Sequence, residues 1–488
     1  MKKVIFCAVA LMIGAVALGQ TDPYAPYAPS LAQGLVPGPA PAWANMSYSS
    51  QNGNNNKVSV FQIGTKQGAY TRQDDGSGMG GNQGRIIQTG NVGPNSGMAN
   101  MAELHQKGTT NQSTQYQYGD RNEALVNQGM GAHAGDDGSA NNKALIQHGA
   151  TNAQQGERNM AQVDQDGVGN QARTQQRVDR NEALTDQYGD NNYADIFQNA
   201  APDGGKGHEA EIDQDGDNND AWINQKIGTG GWNSATAIQV GGGNFSYQEQ
   251  ESDAANGESN DALATQGDIY IGNPMAAALY TTLDGIDDIT NGAYNPGSDN
   301  AKAFQFQLGD DNIVVSGQFG DGNYSEQHQT GDDNDALIVQ NAYGNPAGGT
   351  NYAKQSQIGD GNVAGIVQNG MNNRALQAQT GSDNIALSTQ RGRDNDTYIH
   401  QAGNSSFAST AQRGQCNDIL VVQFDGQWAK VEQNLSGGLP GGNNTATIYQ
   451  ANPNSNTSDV GCRFDEQLPT INQNDIPIFN IPDICPGC

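Results

Sequence analysis

The stretch from Gln357 to Gln379 reads QIGDGNVAGIVQNGMNNRALQAQ, and it contains the same short pattern twice. Each copy begins with Gln, places Gly two residues later and Asn three residues after that, and reaches the next Gln after eleven residues. A fixed period this short is typical of a repeat architecture, in which each copy forms one structural unit. The stretch therefore predicts a stack of similar strands and turns.

The same interval recurs over much of the chain. It joins the glutamines of three runs, which are Gln154, Gln165, Gln176, Gln187 and Gln198; Gln307, Gln318, Gln329 and Gln340; and Gln357, Gln368, Gln379, Gln390, Gln401, Gln412 and Gln423. We therefore place the repeat region at residues 58–450, with Gly-, Asp- and Asn-rich insertions near 130–142, 199–208, 226–234, 268–298, 341–350 and 435–442 that are expected to form surface loops.

The segment Asn334 to Gln340 indicates which residues face inward. Side chains alternate across a strand, so Asn334, Ala336, Ile338 and Gln340 share one face. The segments 362–368, 192–198 and 219–225 have the same residues at alternate positions: Asn, a small residue, an aliphatic or hydroxyl residue, and Gln. The intervening positions within each segment vary. The constrained face is expected inside, and the variable face is expected to meet solvent or neighbours.

The residues between each Gln and the next Asn are typical of a tight turn. Gly, Asp and Asn tolerate the left-handed backbone that such turns need. Since strand and turn together use eleven residues, two units make one rung of about 22 residues, and rungs stack at about 4.8 Å. The sequence predicts an all-β fold, a β-solenoid of stacked strand-arc-strand rungs with cross-β, amyloid-like geometry.

Buried amides explain why the interval is constant. An unpaired buried amide costs about 1–3 kcal/mol, but identical amides stacked one rung apart satisfy each other. We predict that the ladder residues include Gln307, Asn312, Gln318, Asn323, Gln329, Asn334, Gln340, Gln357, Asn362, Gln368, Asn373, Gln379, Asn384, Gln390, Asn395, Gln401, Asn417 and Gln423. The predicted turn glycines are Gly309, Gly320, Gly331, Gly359, Gly370, Gly381, Gly392 and Gly403.

Several units depart from this pattern. Ser406 stands where Asn is expected, and Val178 stands where the turn Gly is expected. Asp425 takes another Gly position, with Gly426 one residue later, and Cys416 lies in the turn before an Asn. These departures are expected to weaken individual rungs or to tune the rate of assembly.

The two ends differ from the repeats. Residues 1–19 have the form of a secretory signal, with Lys2 and Lys3, an apolar run from Val4 to Leu18 and a small residue, Gly19, at the cleavage point. Residues 20–57 are expected to be a Pro/Gly/Asn-rich leader without strand alternation, and residues 451–488 a Cys/Pro-rich tail. No other stretch is apolar enough to span a membrane.

Composition excludes several classes of function. The chain has 488 residues, 35% hydrophobic residues and a formal charge of -29, with 23 Lys+Arg against 52 Asp+Glu, so it would repel nucleic acid. Its six histidines are isolated in sequence, and no catalytic motif is present, so we expect no enzyme, no cofactor and no dedicated metal site. Weak cation binding by stacked turn Asp remains an alternative.

Four cysteines follow the predicted signal: Cys416, Cys462, Cys485 and Cys488. Export permits disulfides, so these four are candidate disulfide partners, and the sequence leaves their pairing open. Outward aromatic residues are expected to pack fibre against fibre or to strengthen strands. They are Tyr116, Phe197, Trp222, Tyr398 and Tyr449.

The unit from Gln368 to Gln379, Gln-x-Gly-x-x-Asn-x-Ala-x-x-x-Gln, resembles the curlin repeat of bacterial curli subunits. The resemblance implies a functional amyloid that is exported, passes an outer-membrane secretion pore, and polymerises into fibres of the extracellular biofilm matrix that also mediate surface adhesion. The implied partners are other copies of the chain, a nucleator subunit and that pore.

A solenoid also exposes unpaired strands at its two ends. Such edges would let the last rung of one copy pair with the first rung of the next, which makes a fibre. The alternatives are a monomeric or capped cell-surface β-solenoid adhesin, or a fibre nucleator.

Overall fold

The computed structural model describes residues 45–74, 80–90, 100–129, 139–149, 156–200, 207–226, 232–252, 260–267, 298–341, 350–434 and 444–451. All regular secondary structure in these ranges is β, which confirms the predicted fold class. In the same ranges, no helix is long and apolar enough to cross a bilayer. The predicted signal, the Cys/Pro-rich tail beyond residue 451 and most of the insertion at 268–298 lie outside the described residues.

The strands are short, mostly six to nine residues. They are β1 (Met46–Asn52), β2 (Lys57–Gly64), β3 (Gly68–Asp74), β4 (Gln83–Gly90), β5 (Asn100–Lys107), β6 (Gln112–Asp120), β7 (Asn122–Gln128), β8 (Lys143–His148), β9 (Gly156–Glu157), β10 (Met160–Asp166), β11 (Gln171–Arg177), β12 (Glu182–Tyr188), β13 (Tyr193–Asn199), β14 (Glu209–Asp215), β15 (Asp220–Lys226), β16 (Asn233–Val240), β17 (Phe245–Glu251), β18 (Asn260–Gln266), β19 (Lys302–Leu308), β20 (Ile313–Phe319), β21 (Tyr324–Thr330), β22 (Asp335–Asn341), β23 (Tyr352–Ile358), β24 (Val363–Met371), β25 (Arg374–Thr380), β26 (Ile385–Arg393), β27 (Asp396–Ala402), β28 (Phe407–Gln415), β29 (Asp418–Phe424), β30 (Trp428–Gln433) and β31 (Thr445–Gln450).

The chain divides into two compact units. The N-terminal unit contains the described residues from 45 to 264 together with 303–312. The C-terminal unit contains the described residues of 265–302 and 313–451.

The N-terminal unit is a β-solenoid of two parallel sheets. One sheet has the order β1-β3-β5-β7-β10-β12-β14-β16-β18, and the other has the order β2-β4-β6-β8-β11-β13-β15-β17-β19. The two-residue strand β9 lies off this path and pairs with β6. Because neighbours in a sheet are next-but-one in the chain, each rung contributes one strand to each sheet.

The C-terminal unit repeats this arrangement. Its sheets have the orders β20-β22-β24-β26-β28-β30 and β21-β23-β25-β27-β29-β31. The pairing is in register, so that Ala336 lies beside Ala364, and Ala364 beside Ala386. Both units therefore have the predicted strand-arc-strand rungs.

The number of residues in a rung is larger where the chain contains an insertion. Stacked glutamines are 22 residues apart where turns are short, as between Gln379 and Gln401. The separation is 28 residues between Gln340 and Gln368, which flank the insertion at 341–350, and 57 residues between Gln250 and Gln307. The predicted length of about 22 residues is thus the shortest common rung, and loops lengthen the others without changing the register.

Small and aliphatic side chains fill the space between the sheets. In the N-terminal unit, Ala102, Ala124, Ala161 and Ala183 stack on successive rungs of one sheet and are buried in one hydrophobic cluster. The residues two positions after these alanines also stack on one another, and each has an aliphatic or a hydroxyl side chain. Alanine allows the two sheets to approach closely.

Two features differ from the sequence-based expectation. Strand β1 lies inside the segment 20–57 that was expected to have no strand, because Asn45, Ser47, Ser49 and Gln51 repeat the inward pattern with hydroxyl residues. On the outward face, Trp222 is only 6% exposed, since its ring contacts other aromatic rings rather than solvent.

Candidate functional site

Buried glutamines form a hydrogen-bonded ladder in each sheet. In the C-terminal unit, Gln329 donates from Nε2 to Oε1 of Gln357 at 2.9 Å, and Gln357 donates in the same way to Gln379 at 3.0 Å. The second Nε2 hydrogen of Gln379 reaches the backbone oxygen of Val363 at 3.1 Å. Each amide in the middle of this ladder therefore uses both donors and its acceptor.

Buried asparagines form a second ladder that runs in the opposite direction. Asn384 donates from Nδ2 to Oδ1 of Asn362 at 3.0 Å, and Asn362 donates to Asn334 at 3.0 Å. Glutamines thus donate toward higher residue numbers and asparagines toward lower ones. Nδ2 of Asn384 also bonds the oxygen of the turn residue Gly403 at 2.7 Å, so the ladder holds the arcs in place.

The structure places every predicted ladder residue in the interior, and each is at most 3% exposed, as Gln307 is. Most belong to the C-terminal unit. In the N-terminal unit, Gln307 accepts from Gln250 at 2.8 Å and Asn312 donates to Asn260 at 3.1 Å. In the C-terminal unit, Ser406 donates only its backbone N–H to the asparagine ladder, at Oδ1 of Asn384.

The predicted turn glycines all have positive φ angles, from 75° at Gly320 to 126° at Gly370. Six of them also lie against the turn of the next rung: Gly331, Gly359, Gly370, Gly381, Gly392 and Gly403. A Cβ on Gly381 would lie 2.1 Å from the oxygen of Gly403, which no real side chain could tolerate. Stacked arcs therefore require glycine for space as well as for backbone conformation.

A third ladder, which the sequence analysis did not identify, runs through the turns. Oδ1 of Asp360 accepts the backbone N–H of Asp332 at 3.1 Å, and Oδ1 of Asn404 accepts that of Ser382 at 2.8 Å. The signal was present, since Asp or Asn often follows the turn glycine. These side-chain oxygens hold the arcs, and within the described ranges no group of three or more His, Cys, Asp or Glu is placed to hold a metal ion.

Two histidines take ladder positions that the sequence analysis did not assign. His148 replaces glutamine between Gln117 and Gln176 in its sheet, and neither of its ring nitrogens has a hydrogen-bond partner. His208 replaces asparagine, and its Nδ1 accepts the backbone N–H of Asn233 at 3.0 Å. Burial lowers the pKa of His148 to about 3 and that of His208 to about 4. The pattern Asn142-x-Ala-x-Ile-x-His148 could have revealed the first of them.

The outward aromatic residues have different environments. Trp222 lies 5.1 Å from Tyr193 and 5.0 Å from Phe245, between ring centroids, and forms part of a buried aromatic column. Tyr449, by contrast, is 50% exposed on the last strand. Of the candidate disulfide residues, Cys416 is exposed and unpaired within the described ranges, and the other three lie outside them.

The first and last rungs carry open ends of the ladders. Gln51 and Gln62 donate to Gln73 and Gln88, and within the described residues no earlier glutamine donates to them. Within the described residues, Gln450 is the last member of its ladder in the C-terminal unit: it accepts from Gln423 at 2.9 Å, and no later glutamine there receives its own N–H. The first described rung of the N-terminal unit therefore presents amide oxygens, and the last described rung of the C-terminal unit presents amide N–H groups.

Comparison with known proteins supports the repeat assignment. Residues 97–129 match the family described as the curlin associated repeat. The match includes β5, β6 and β7, in which Gln106 donates to Gln128 at 2.7 Å and Asn122 donates to Asn100 at 3.1 Å. The matched sequence thus contains one full step of both amide ladders. No curated protein matched the chain.

Proposed function

We propose that this chain, of which residues 97–129 match the curlin associated repeat, is a structural subunit of extracellular, curli-like amyloid fibres. The subunits associate head to tail, with the last rung of one copy stacked on the first rung of the next. The fibres build biofilm matrix and mediate surface adhesion.

The observation that carries this proposal is the direction of the glutamine ladders. Within the described residues, Gln433 and Gln450 end the ladders of the C-terminal unit with N–H groups, while Gln51 and Gln62 begin those of the N-terminal unit with amide oxygens. When Gln433 is placed over Gln51 and Gln450 over Gln62, each ladder continues into the next copy with its direction unchanged. Contact between two first rungs would instead place amide oxygens against amide oxygens, and contact between two last rungs would place N–H groups against N–H groups.

When the two copies are aligned in this way, the side chains of β31 in one copy also fit those of β2 in the next. On the inner face, Ala446 and Ile448 of β31 would stack on Val58 and Val60 of β2. On the outer face, Tyr449, which is 50% exposed, would cover Phe61, which is 58% exposed. Exposed aromatic and aliphatic groups on edge strands otherwise favour uncontrolled association, so a specific partner for them stabilises the assembly.

Thr447 offers a direct test, because its backbone N–H points away from the molecule. The oxygen of Asn444 accepts from Asp418 on β29, and directions alternate along a strand, so residues 444, 446, 448 and 450 face β29. Thr447 faces the opposite way and its side chain is exposed. Thr447→Pro therefore preserves pairing within the chain but removes a donor from the joint.

The experiment compares fibre growth of the wild type, Thr447→Pro and the control Thr447→Val, which retains the N–H. We expect the wild type and the valine variant to form thioflavin-positive fibres with reflections near about 4.8 Å and about 10 Å. The proline variant alone should form none. Labelled wild-type seeds treated with the proline variant should afterwards grow from one end only.

The other outcomes oppose the proposal. Equal growth of the proline and valine variants would show that the last rung is not the joint. A wild-type protein that stays monomeric at all concentrations would favour the capped adhesin, and one that forms no fibres but accelerates those of another subunit would favour the nucleator.

The route to the surface is part of the same proposal. Residues 1–19 direct export and are removed, and the acidic chain crosses an outer-membrane secretion pore before it assembles, with a nucleator subunit starting the fibre. The support is the form of the N-terminal sequence and the curlin repeat. Surface labelling of intact cells tests it: deletion of residues 1–19 should abolish the signal while the protein is still made.

A further inference from the structure

Glu326 and Lys354 form an ion pair on the outward face of the C-terminal unit. Both side chains of this pair are buried. Nζ of Lys354 lies 2.8 Å from Oε1 of Glu326, and the side chains are 1% and 0% exposed. The two residues are directly paired on neighbouring strands β21 and β23. By contrast, the ion pair of Lys226 with Glu249 in the N-terminal unit is 41% and 27% exposed.

Two further side chains contact the same carboxylate. The hydroxyl of Tyr324 donates to Oε2 of Glu326 at 2.8 Å, and Nε2 of His328 lies 2.7 Å from Oε1. Burial lowers the pKa of Lys354, which favours its neutral, nucleophilic amine. Burial of these two charges costs free energy, because both of them lose their hydration.

We propose that Lys354 and Glu326 condense to an intramolecular isopeptide bond. Nζ attacks Cδ of Glu326, the Nζ–Cδ bond forms, and the Cδ–Oε1 bond breaks. Oε1 leaves as water with two of the three protons of the ammonium group, so a carboxylate and an ammonium become one neutral amide and one water. No oxidant, reductant or other reactant is needed.

The neighbours supply the catalytic groups. Tyr324, whose hydroxyl contacts Oε2, stabilises the negative charge that develops there during attack. His328, which contacts Oε1, gives a proton to the departing oxygen and recovers one from the amine. Exclusion of water favours the amide over its hydrolysis, and the buried pair of charges disappears.

The bond would fasten two successive rungs. It joins residues 28 positions apart (354 − 326 = 28) and closes the loop that contains the insertion at 341–350. Strong acid breaks the hydrogen bonds of the ladders but leaves an amide bond intact. The two strands would therefore stay covalently joined when a fibre is dissolved in acid. The inference does not depend on fibre formation.

Mass spectrometry of the whole folded chain, reduced before measurement, tests the proposal. The mass should lie one water below that of the unfolded chain, and the deficit should appear as the protein folds. Trypsin cannot cut after an acylated lysine, so digestion should yield residues 303–374 as one peptide instead of 303–354 and 355–374. Lys354→Arg, which keeps the positive charge, should have the full mass.

The matched control is Lys226→Arg, which alters the exposed pair and should retain the deficit of one water. His328→Gln should slow the loss of water by about a hundredfold, the scale of a lost proton-transfer group. If the folded wild type has the full mass and trypsin cuts after Lys354, Glu326 and Lys354 are only an ion pair, and the inference is overturned. Because the wild type alone decides this, a variant that fails to fold does not affect the result.

Discussion

Ser406 donates its backbone N–H to Oδ1 of Asn384 at 3.0 Å, but within the described residues its own side-chain oxygen has no hydrogen-bond partner. In the other sheet, Asn395 holds the equivalent position, where its Nδ2 bonds Oδ1 of Asn373 at 2.9 Å and the oxygen of Gly414 at 3.2 Å. Serine is too short to make either contact. The ladder therefore has a defect at this rung.

Ser406→Asn should repair the defect. The new amide can donate to Asn384 and to the turn that follows, so we expect the free energy of unfolding to rise by about 1 kcal/mol, the usual net contribution of a hydrogen bond. Urea denaturation of the monomer, below the concentration at which it assembles, measures the change. Ser409→Asn, on the outward face of the same strand, should have little effect; an equal gain there would assign the benefit to something other than the ladder.

Gln379→Leu should interrupt a complete ladder. The change removes the donor to Oε1 of Gln401 and the acceptor of Gln357, while leucine has a similar size. Each unsatisfied buried group costs about 1–3 kcal/mol, so we expect a loss of about 3 kcal/mol in the same denaturation assay.

Thr380→Leu is the control for this variant, because Thr380 is the exposed neighbour of Gln379. It should change stability by less than about 0.5 kcal/mol. If both leucine variants are equally stable, the buried amides do not hold the rungs together and the ladder has no energetic role.

Val178→Gly should relieve backbone strain in a turn of the N-terminal unit. Val178 has a φ angle of 64°, a region that β-branched residues rarely adopt. The left-handed conformation costs an ordinary residue about 1–2 kcal/mol, so glycine should raise the free energy of unfolding by about 1 kcal/mol.

A second valine supplies the comparison for Val178. Val168 is 38% exposed in a nearby turn and is not among the described residues with positive φ. Val168→Gly should be neutral or destabilising, because glycine adds freedom to the unfolded chain. A loss of stability in Val178→Gly as large as that in Val168→Gly would contradict the strain argument.

The repeated units show why so much of the fold could be predicted from sequence. The order Asn334, Ala336, Ile338, Gln340 fixes the inward face and the register together, because a slip of one residue would bury mismatched side chains. The same rule extends to Asn45, Ser47, Ser49 and Gln51 of β1, but hydroxyls in a polar stretch gave no alternation of apolar residues. That strand was missed for lack of hydrophobic contrast.

The outward face could not be predicted in the same way. Leu337 and Val339 are buried, at 1% and 0% exposure, while Ile358 is 51% exposed. Nothing in the local pattern distinguishes these positions, because their burial depends on residues distant in sequence. The cluster around Glu326 has the same origin, since its partner lies 28 residues away across an insertion.

His148 is the ladder position at which acidity should have the largest effect. It lies between Gln117 and Gln176, is fully buried, and has no partner on either ring nitrogen. Burial lowers its pKa from 6.5 to about 3. Because the folded pKa is below the unfolded one, the stabilisation is complete above about pH 6.5 and is lost as the pH falls from there toward about 3.

His148→Gln removes this titration and restores the amide. The stability advantage of the variant over the wild type should therefore grow by about 2 kcal/mol between pH 8 and pH 5, where the unfolded histidine is mostly protonated and the folded one is not. Buried carboxyls with raised pKa values, such as that of Asp186, titrate in both proteins and cancel in the difference. Urea denaturation at each pH supplies the two curves.

The control places a histidine one residue earlier, on the outward face. Gln147 is half-buried there, so Gln147→His adds a titrating ring without enclosing it among the amides. Its stability difference from the wild type should stay nearly constant with pH. If the wild-type and His148→Gln curves run parallel from pH 8 to pH 5, the imidazole is protonated as easily in the folded chain as in the unfolded one, and the ladder at this rung admits water.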